Sequence, residues 1–214
     1  MTPPRLLTLP GWLNSGPGHW QTRWEQLHGC VRVEQEDWLW PRRGDWMVRL
    51  EEVLLGSATP ALLVAHSLGC QLVAAWASRS SHTARVRGAL LVAPPDTERP
   101  DVPPQLHSWR PMPRQRLPFP ATVVASTDDP YCEPRRCAEL AADWGATLVD
   151  AGARGHLNGE SGLGDWPEGM TLLHALSSQT PALPRREFES AGLPYQAVAP
   201  LSRSHRALDH SEEH

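Results

Sequence analysis

Lysine and isoleucine are absent from the 214 residues, so all 20 basic side chains are arginine. Both gaps read as the mark of a GC-rich genome, not as a physical adaptation. Positive charge is not in excess either: 24 acidic residues leave the chain at −4. That balance argues against nucleic acid or an anionic membrane surface as the partner. Four cysteines are too few for a disulfide scaffold at this length. The opening Met1-Thr2-Pro3-Pro4-Arg5 has no apolar run of the kind a secretory peptide needs. Residues 53–78 carry no Asp, Glu, Lys or Arg. They also hold Gly56, Pro60, His66, Ser67, Gly69 and Gln71, which suits a strand, a sharp turn and a helix better than a membrane span. The expectation is a cytoplasmic protein with no membrane segment and no cofactor.

Forty per cent of residues are hydrophobic and 21% charged, enough to build a core and too apolar for a disordered chain. The length suits one domain. Nine prolines between Pro94 and Pro120 exclude a helix or a central strand there. Ten tryptophans imply a thick core, an aromatic pocket, or both.

Short apolar runs alternate with helical stripes. Strands are expected at Leu6–Leu9, Val31–Val33, Ala61–Ala65, Ala89–Ala93, Ala121–Ala125 and Thr147–Val149. Between them, helix faces are marked by Trp20, Trp24 and Leu27, by Trp46, Leu50 and Val53, and by Leu72, Ala75 and Trp76. Cys137, Leu140, Ala141 and Trp144 mark a fourth face, and Met170, Leu173 and Leu176 a fifth. This alternation predicts an α/β fold in three layers, a mainly parallel sheet of about six strands with helices on both faces. The pattern stops near residue 179. Residues 1–179 read as the folded domain, and 180–214, proline-bearing and poor in apolar residues, as a mobile or loosely docked tail.

The chemistry concentrates in Leu62-Leu63-Val64-Ala65-His66-Ser67-Leu68-Gly69. A buried strand that turns sharply into a helix lifts the serine above the sheet, and the residues two before and two after it must be small. Ala65 and Gly69 satisfy this, with Ala65 in place of the usual first glycine. The plainer reading is that Ser67 merely caps the helix. Two further features favour a nucleophile. Asp128 and Asp129 follow the strand Ala121–Ala125, and His156 lies in a glycine-flanked loop after Thr147–Val149. Serine, acid and histidine thus stand in the chain order of an elbow-type triad. Asp129 is the favoured acid because Pro130 fixes the turn after it, while Asp128 is placed to brace the loop. The alternative for both acids is a turn or capping role.

The roles follow from the chemistry. His156 takes the Ser67 proton and later delivers it to the leaving group, and Asp129 holds the imidazole tautomer. The Leu68 amide and the Trp12 amide are the candidate oxyanion donors, with Gly11 letting the backbone approach. Gly11, Trp12, His19 and Trp166 are expected around a substrate pocket. His66 is expected to have a packing or supporting role. Cys132 and Cys137 with His156 match no common zinc spacing, so no metal is expected.

On these residues the chain resembles the small bacterial YdeN-like serine hydrolases, the group that includes retinoblastoma-binding protein nine. Its supporting segments are Pro10-Gly11-Trp12-Leu13-Asn14-Ser15-Gly16-Pro17-Gly18-His19-Trp20-Gln21, Ala65-His66-Ser67-Leu68-Gly69-Cys70 and Leu117-Pro118-Phe119-Pro120. Ser126-Thr127-Asp128-Asp129-Pro130-Tyr131 and Gly155-His156-Leu157-Asn158 complete it. The resemblance spans residues 5 to about 178. It implies an α/β-hydrolase fold without a large lid domain and a triad on Ser67, Asp129 and His156. No Leu-x-Cys-x-Glu motif is present, so retinoblastoma-type binding is not carried over. The expected function is cleavage of carboxylic esters of small to medium acyl groups, with amides and thioesters open. Two alternatives stand beside it, a non-catalytic interaction protein on a hydrolase fold and an acyltransferase using the same triad.

Overall fold

The computed structural model describes residues 3–178, which lie within Met1–Leu183, the first of the chain's two units. The tail expected over 180–214 lies outside the described residues. Six strands form the sheet: β1 (Arg5–Leu9), β2 (Val31–Arg32), β3 (Ala61–His66), β4 (Val86–Val92), β5 (Ala121–Ala125) and β6 (Thr147–Asp150). Their order is β2-β1-β3-β4-β5-β6, and every neighbouring pair is parallel.

Alternation along each strand sorts the core into two layers. Leu7, Leu9, Leu63, Ala65, Ala89, Leu91 and Val123 point to one face. There they meet α2 (Arg43–Leu55), α3 (Leu68–Ala77) and α4 (Pro134–Trp144). Leu62, Val64, Leu90, Val92 and Val124 point to the other, against α1 (Trp20–His28) and α5 (Pro167–Ser178). β3 is buried throughout and α3 is buried from Leu68 to Trp76. This explains the absence of charge over residues 53–78 without a bilayer: among the described residues no helix is long and apolar enough to cross a membrane.

Two stripe positions differ from expectation. Leu27 is exposed, and the burial it was to provide falls to Gln21. The Gln21 amide donates to the Val64 and Leu9 carbonyls at 2.9 and 3.3 Å, and its Oε1 accepts from the Ser15 hydroxyl. Only the first two turns of α1 therefore face the sheet. In α2 the buried stripe is Trp46, Leu50 and Leu54, one residue on from the expected Val53. The proline-rich stretch after β4 holds one short 3₁₀ turn, Pro104–Trp109, anchored where the Trp109 indole donates to the Pro41 carbonyl at 2.8 Å.

Candidate active site

Ser67 joins β3 to α3 with φ 52° and ψ −123°. A non-glycine residue there is strained by about 1–3 kcal/mol, and such strain persists only where the surroundings fix it. The fixing contacts are visible. The Ser67 amide donates to the Val92 carbonyl at 2.9 Å. A Cβ on Gly69 would stand 2.2 Å from the Leu9 carbonyl oxygen, so only glycine lets α3 start so close to β1. A Cβ on Gly11 would stand 2.6 Å from Ser67 Cβ and 3.1 Å from its Oγ. The loop after β1 therefore presses directly on the serine. Ala65, the departure from the usual elbow, is fully buried with its methyl in the apolar layer beneath. The Ser67 side chain makes no capping bond to α3, so helix capping does not account for it.

Its hydroxyl instead donates to His156 Nε2 at 2.8 Å. His156 Nδ1 donates to both Asp129 carboxylate oxygens, at 2.9 and 3.0 Å. Both roles follow from the partners, because an ionised carboxylate only accepts. Asp129 Oδ1 also accepts the Tyr131 amide at 2.9 Å. The Asp129 and His156 side chains are 3% and 10% exposed. Asp128 turns the other way. Its Oδ1 accepts from the Ser126 hydroxyl and from the Gly155 amide, both at 2.7 Å. The Ser126 hydroxyl and then the Gly155 amide hold its carboxyl below the usual carboxylate range. Asp128 thus clasps the loop that carries His156, while Asp129 reaches the imidazole.

Leu68 is the first residue of α3, where an amide has no partner within the helix. Trp12 lies in the turn after β1, shaped by Leu13 and Asn14, each at φ 67°. Among the described residues neither the Trp12 nor the Leu68 amide donates to a protein acceptor. Both residues line a cavity of about 470 Å³ that also includes Ser67, His156, His19 and His66. Its far wall comes from the proline-rich stretch: Pro95, Thr97, Val102, Pro103 and Leu106. Tyr131 closes another side, its ring edge-on to His156 at 4.6 Å.

Not every expected pocket residue lies in this wall. Gly11 sits against Ser67 rather than in the lining. Trp166 does not line the cavity, which corrects the expectation from sequence. At φ 45° its backbone turns the ring inward, 4.8 Å from Trp20 and 5.8 Å from Trp24. Gly169 leaves room for it, since a Cβ there would lie 2.3 Å from the ring. Trp20 is core, and its indole donates to the Leu157 carbonyl at 2.9 Å, so this aromatic cluster holds the histidine loop from beneath. His66 does more than pack. Its Nε2 donates to the His156 carbonyl at 2.9 Å, and its ring lies 4.9 Å from that of His156. Burial, with the neighbouring His19 and His156 adding repulsion, keeps its pKa well below the ordinary value, so it remains neutral.

Sequence reasoning missed Thr97, Val102, Pro103, Leu106 and Tyr131 in the wall. The available signal was position: ligands in parallel α/β sheets bind outside the carboxyl ends of the strands, where the stretch after β4 and the turn after β5 both lie. Among the described residues no group of three His, Cys, Asp or Glu side chains is arranged to hold a metal ion.

A family profile described as serine hydrolase matches residues 6–175. A YdeN-like hydrolase from Pectobacterium atrosepticum has 27% identity and a TM-score of 0.73, over 82% of this chain and 91% of that one. The ydeN gene product of Bacillus subtilis has 20% identity and a TM-score of 0.63, over 82% and 100%. The esterase RhEst1 from Rhodococcus sp. ECU1013 shares the fold at 15% identity and a TM-score of 0.59, over 83% and 92%. No curated protein matches the chain. The chain belongs to the serine hydrolase family, as a YdeN-like small hydrolase of the α/β-hydrolase superfamily.

Proposed function

We propose that the protein cleaves carboxylic esters of small to medium acyl groups through an acyl-enzyme on Ser67. The supporting observation is the continuous hydrogen-bonded chain from Ser67 Oγ through His156 to Asp129. Ser67 Oγ attacks the ester carbonyl while His156 Nε2 takes its proton. Asp129 keeps the other ring proton on Nδ1 and stabilises the imidazolium. The oxygen that becomes anionic faces the Leu68 and Trp12 amides, and each donor contributes about 3 kcal/mol at the transition state. His156 then gives its proton to the departing alkoxide and the alcohol leaves. Water enters, His156 takes a proton from it, and the hydroxide releases the acid from Ser67 by the same path in reverse.

The reading assigns this chemistry to residues 1–179 and requires neither metal nor cofactor. The substrate is a small molecule rather than nucleic acid or membrane. We place the protein in the cytoplasm; its four cysteines are buried free thiols, as suits a reducing compartment. A fluorophosphonate probe tests the nucleophile. The native protein should be labelled and should hydrolyse para-nitrophenyl acetate, and Ser67→Ala should do neither. An unlabelled, well-folded native protein would refute the assignment.

A further inference from the structure

His19 caps α1 and forms part of the cavity wall beside Ser67. Its Nδ1 accepts the Gln21 amide proton at 3.1 Å, which places the lone pair on Nδ1. A neutral imidazole carries one N–H, and here it must be on Nε2. The ring is neutral across the working range. Burial lowers its pKa to about 4, with Arg32 and His156 adding repulsion. Nε2–H is therefore a fixed donor. His19 is 6% exposed, yet its Nε2 has no acceptor among the described residues.

Buried polar groups nearly always find a partner, so an orphan in a cavity wall points to an acceptor that arrives with the ligand. Thr97 gives the same signal independently. It is 1% exposed, lines the same cavity, and its Oγ1 is likewise unpartnered. A plain alkyl substrate would leave both groups unmet. The His19 donor is also close to the chemistry: its ring is 4.6 Å from that of His66, which precedes the nucleophile and packs on His156.

We propose that His19 is a specificity-determining residue whose Nε2–H binds an acceptor oxygen carried by the substrate, so that oxygen-bearing esters are preferred over alkyl esters of equal size. This rests on the ester-cleaving reading above. The neutral donor suits an ether, hydroxyl or second carbonyl oxygen, and the Thr97 hydroxyl offers that part of the substrate a second polar partner.

Three isosteric pairs test it: para-nitrophenyl methoxyacetate against butyrate, para-nitrophenyl 3-methoxypropionate against pentanoate, and 2-methoxyethyl acetate against butyl acetate. Each kcat/KM ratio is divided by the ratio for hydroxide, which removes intrinsic reactivity. In the native protein at least one ether ester should exceed its isostere about tenfold, the value of one added hydrogen bond. His19→Asn keeps an acceptor for the helix cap and lacks Nε2–H, and should bring that ratio close to one. Native ratios all near one would overturn the proposal, and they decide it even if His19→Asn does not fold. A preference that survives His19→Asn would also overturn it. So would an equal loss on both members of a pair, which would put the donor on the scissile carbonyl instead. Hydrolysis of none of the six esters would remove the ester reading itself, a result distinct from hydrolysis without preference.

Discussion

Asp128 and Asp129 are adjacent carboxylates with different partners, and exchanging each for asparagine separates their roles. In Asp129 both oxygens face His156 Nδ1, at 2.9 and 3.0 Å. An asparagine there presents one N–H to the ring in place of a second acceptor. That favours the tautomer with its proton on Nε2, which must then donate to Ser67 instead of receiving its proton. In a triad of this kind the wrong tautomer costs about 10⁴ in kcat. Asp128 accepts two hydrogen bonds on Oδ1, from Ser126 and Gly155. The amide oxygen of an asparagine can accept both, so the clasp survives without its charge. Asp128→Asn should lower kcat less than about tenfold, the scale of weakening one or two hydrogen bonds. The assay is kcat on para-nitrophenyl acetate at pH 8, with melting temperature to confirm folding and fluorophosphonate labelling rate as a second reading of the nucleophile. Asp129→Asn within tenfold of native, or Asp128→Asn as the larger loss, would refute the division of labour.

Gly11→Ala would place a methyl 2.6 Å from Ser67 Cβ, so the loop after β1 must retreat and carry the Trp12 amide with it. A lost oxyanion donor corresponds to a fall of about 10²–10³ in kcat, and kcat within threefold of native would show that this amide is not used. Stability should also depend on pH through His19. Its native pKa, about 4, lies below the unfolded value near 6.5. The unfolded state therefore binds the proton first as pH falls. The contribution is complete above pH 7 and is lost toward pH 4, about 2 kcal/mol of it between pH 8 and pH 5. His66 shifts in the same direction. Urea unfolding at the two pH values should show native protein losing about 2 kcal/mol more than His19→Asn, and equal losses would contradict a buried neutral His19.

Much of the fold is legible because its signals are local. A strand buried on both faces reads as an unbroken apolar run, and Ala61–Ala65 is one. The elbow is equally local as a sequence signal, with Ala65, Ser67 and Gly69 within five residues, and Gly69 is where the chain passes too close to the Leu9 carbonyl for a Cβ. The three residues singled out for the triad are those whose side chains meet within hydrogen-bond distance. What was not legible depends on side-chain direction, which spacing does not encode. Trp166 follows the histidine loop in sequence, but a left-handed backbone angle aims it into the core. Leu27 keeps the helical period of Trp20 and Trp24, yet α1 faces the sheet only through its first two turns. The proline-rich segment gave no periodicity at all, because its path is set by tertiary bonds. Trp109 reaches the Pro41 carbonyl, and the Arg110 guanidinium reaches the Thr97 and Arg99 carbonyls.

The strand order explains why the site forms where it does. From β1 the chain moves outward to β2, then returns to place β3 on the other side of β1. The connections leaving β1 and β3 therefore diverge, and a crevice opens above the ends of these two neighbours. The loop after β1 brings Gly11 and Trp12 to one side of it, and the turn after β3 brings Ser67 and Leu68 to the other. β5 and β6 lie further along the same edge, which puts the Asp129 and His156 loops beside each other, joined by the Asp128 clasp. Ser67 and His156, which share a hydrogen bond, therefore come from segments 89 residues apart in the chain. Their alignment depends on two contacts to backbone: the Trp20 indole on the Leu157 carbonyl and the His66 imidazole on the His156 carbonyl. A segment held at two successive carbonyls has little freedom to rotate its side chain away. The buried histidine before the serine and the tryptophan in α1 thus serve the same geometry, a loop residue whose ring nitrogen is held 2.8 Å from a hydroxyl.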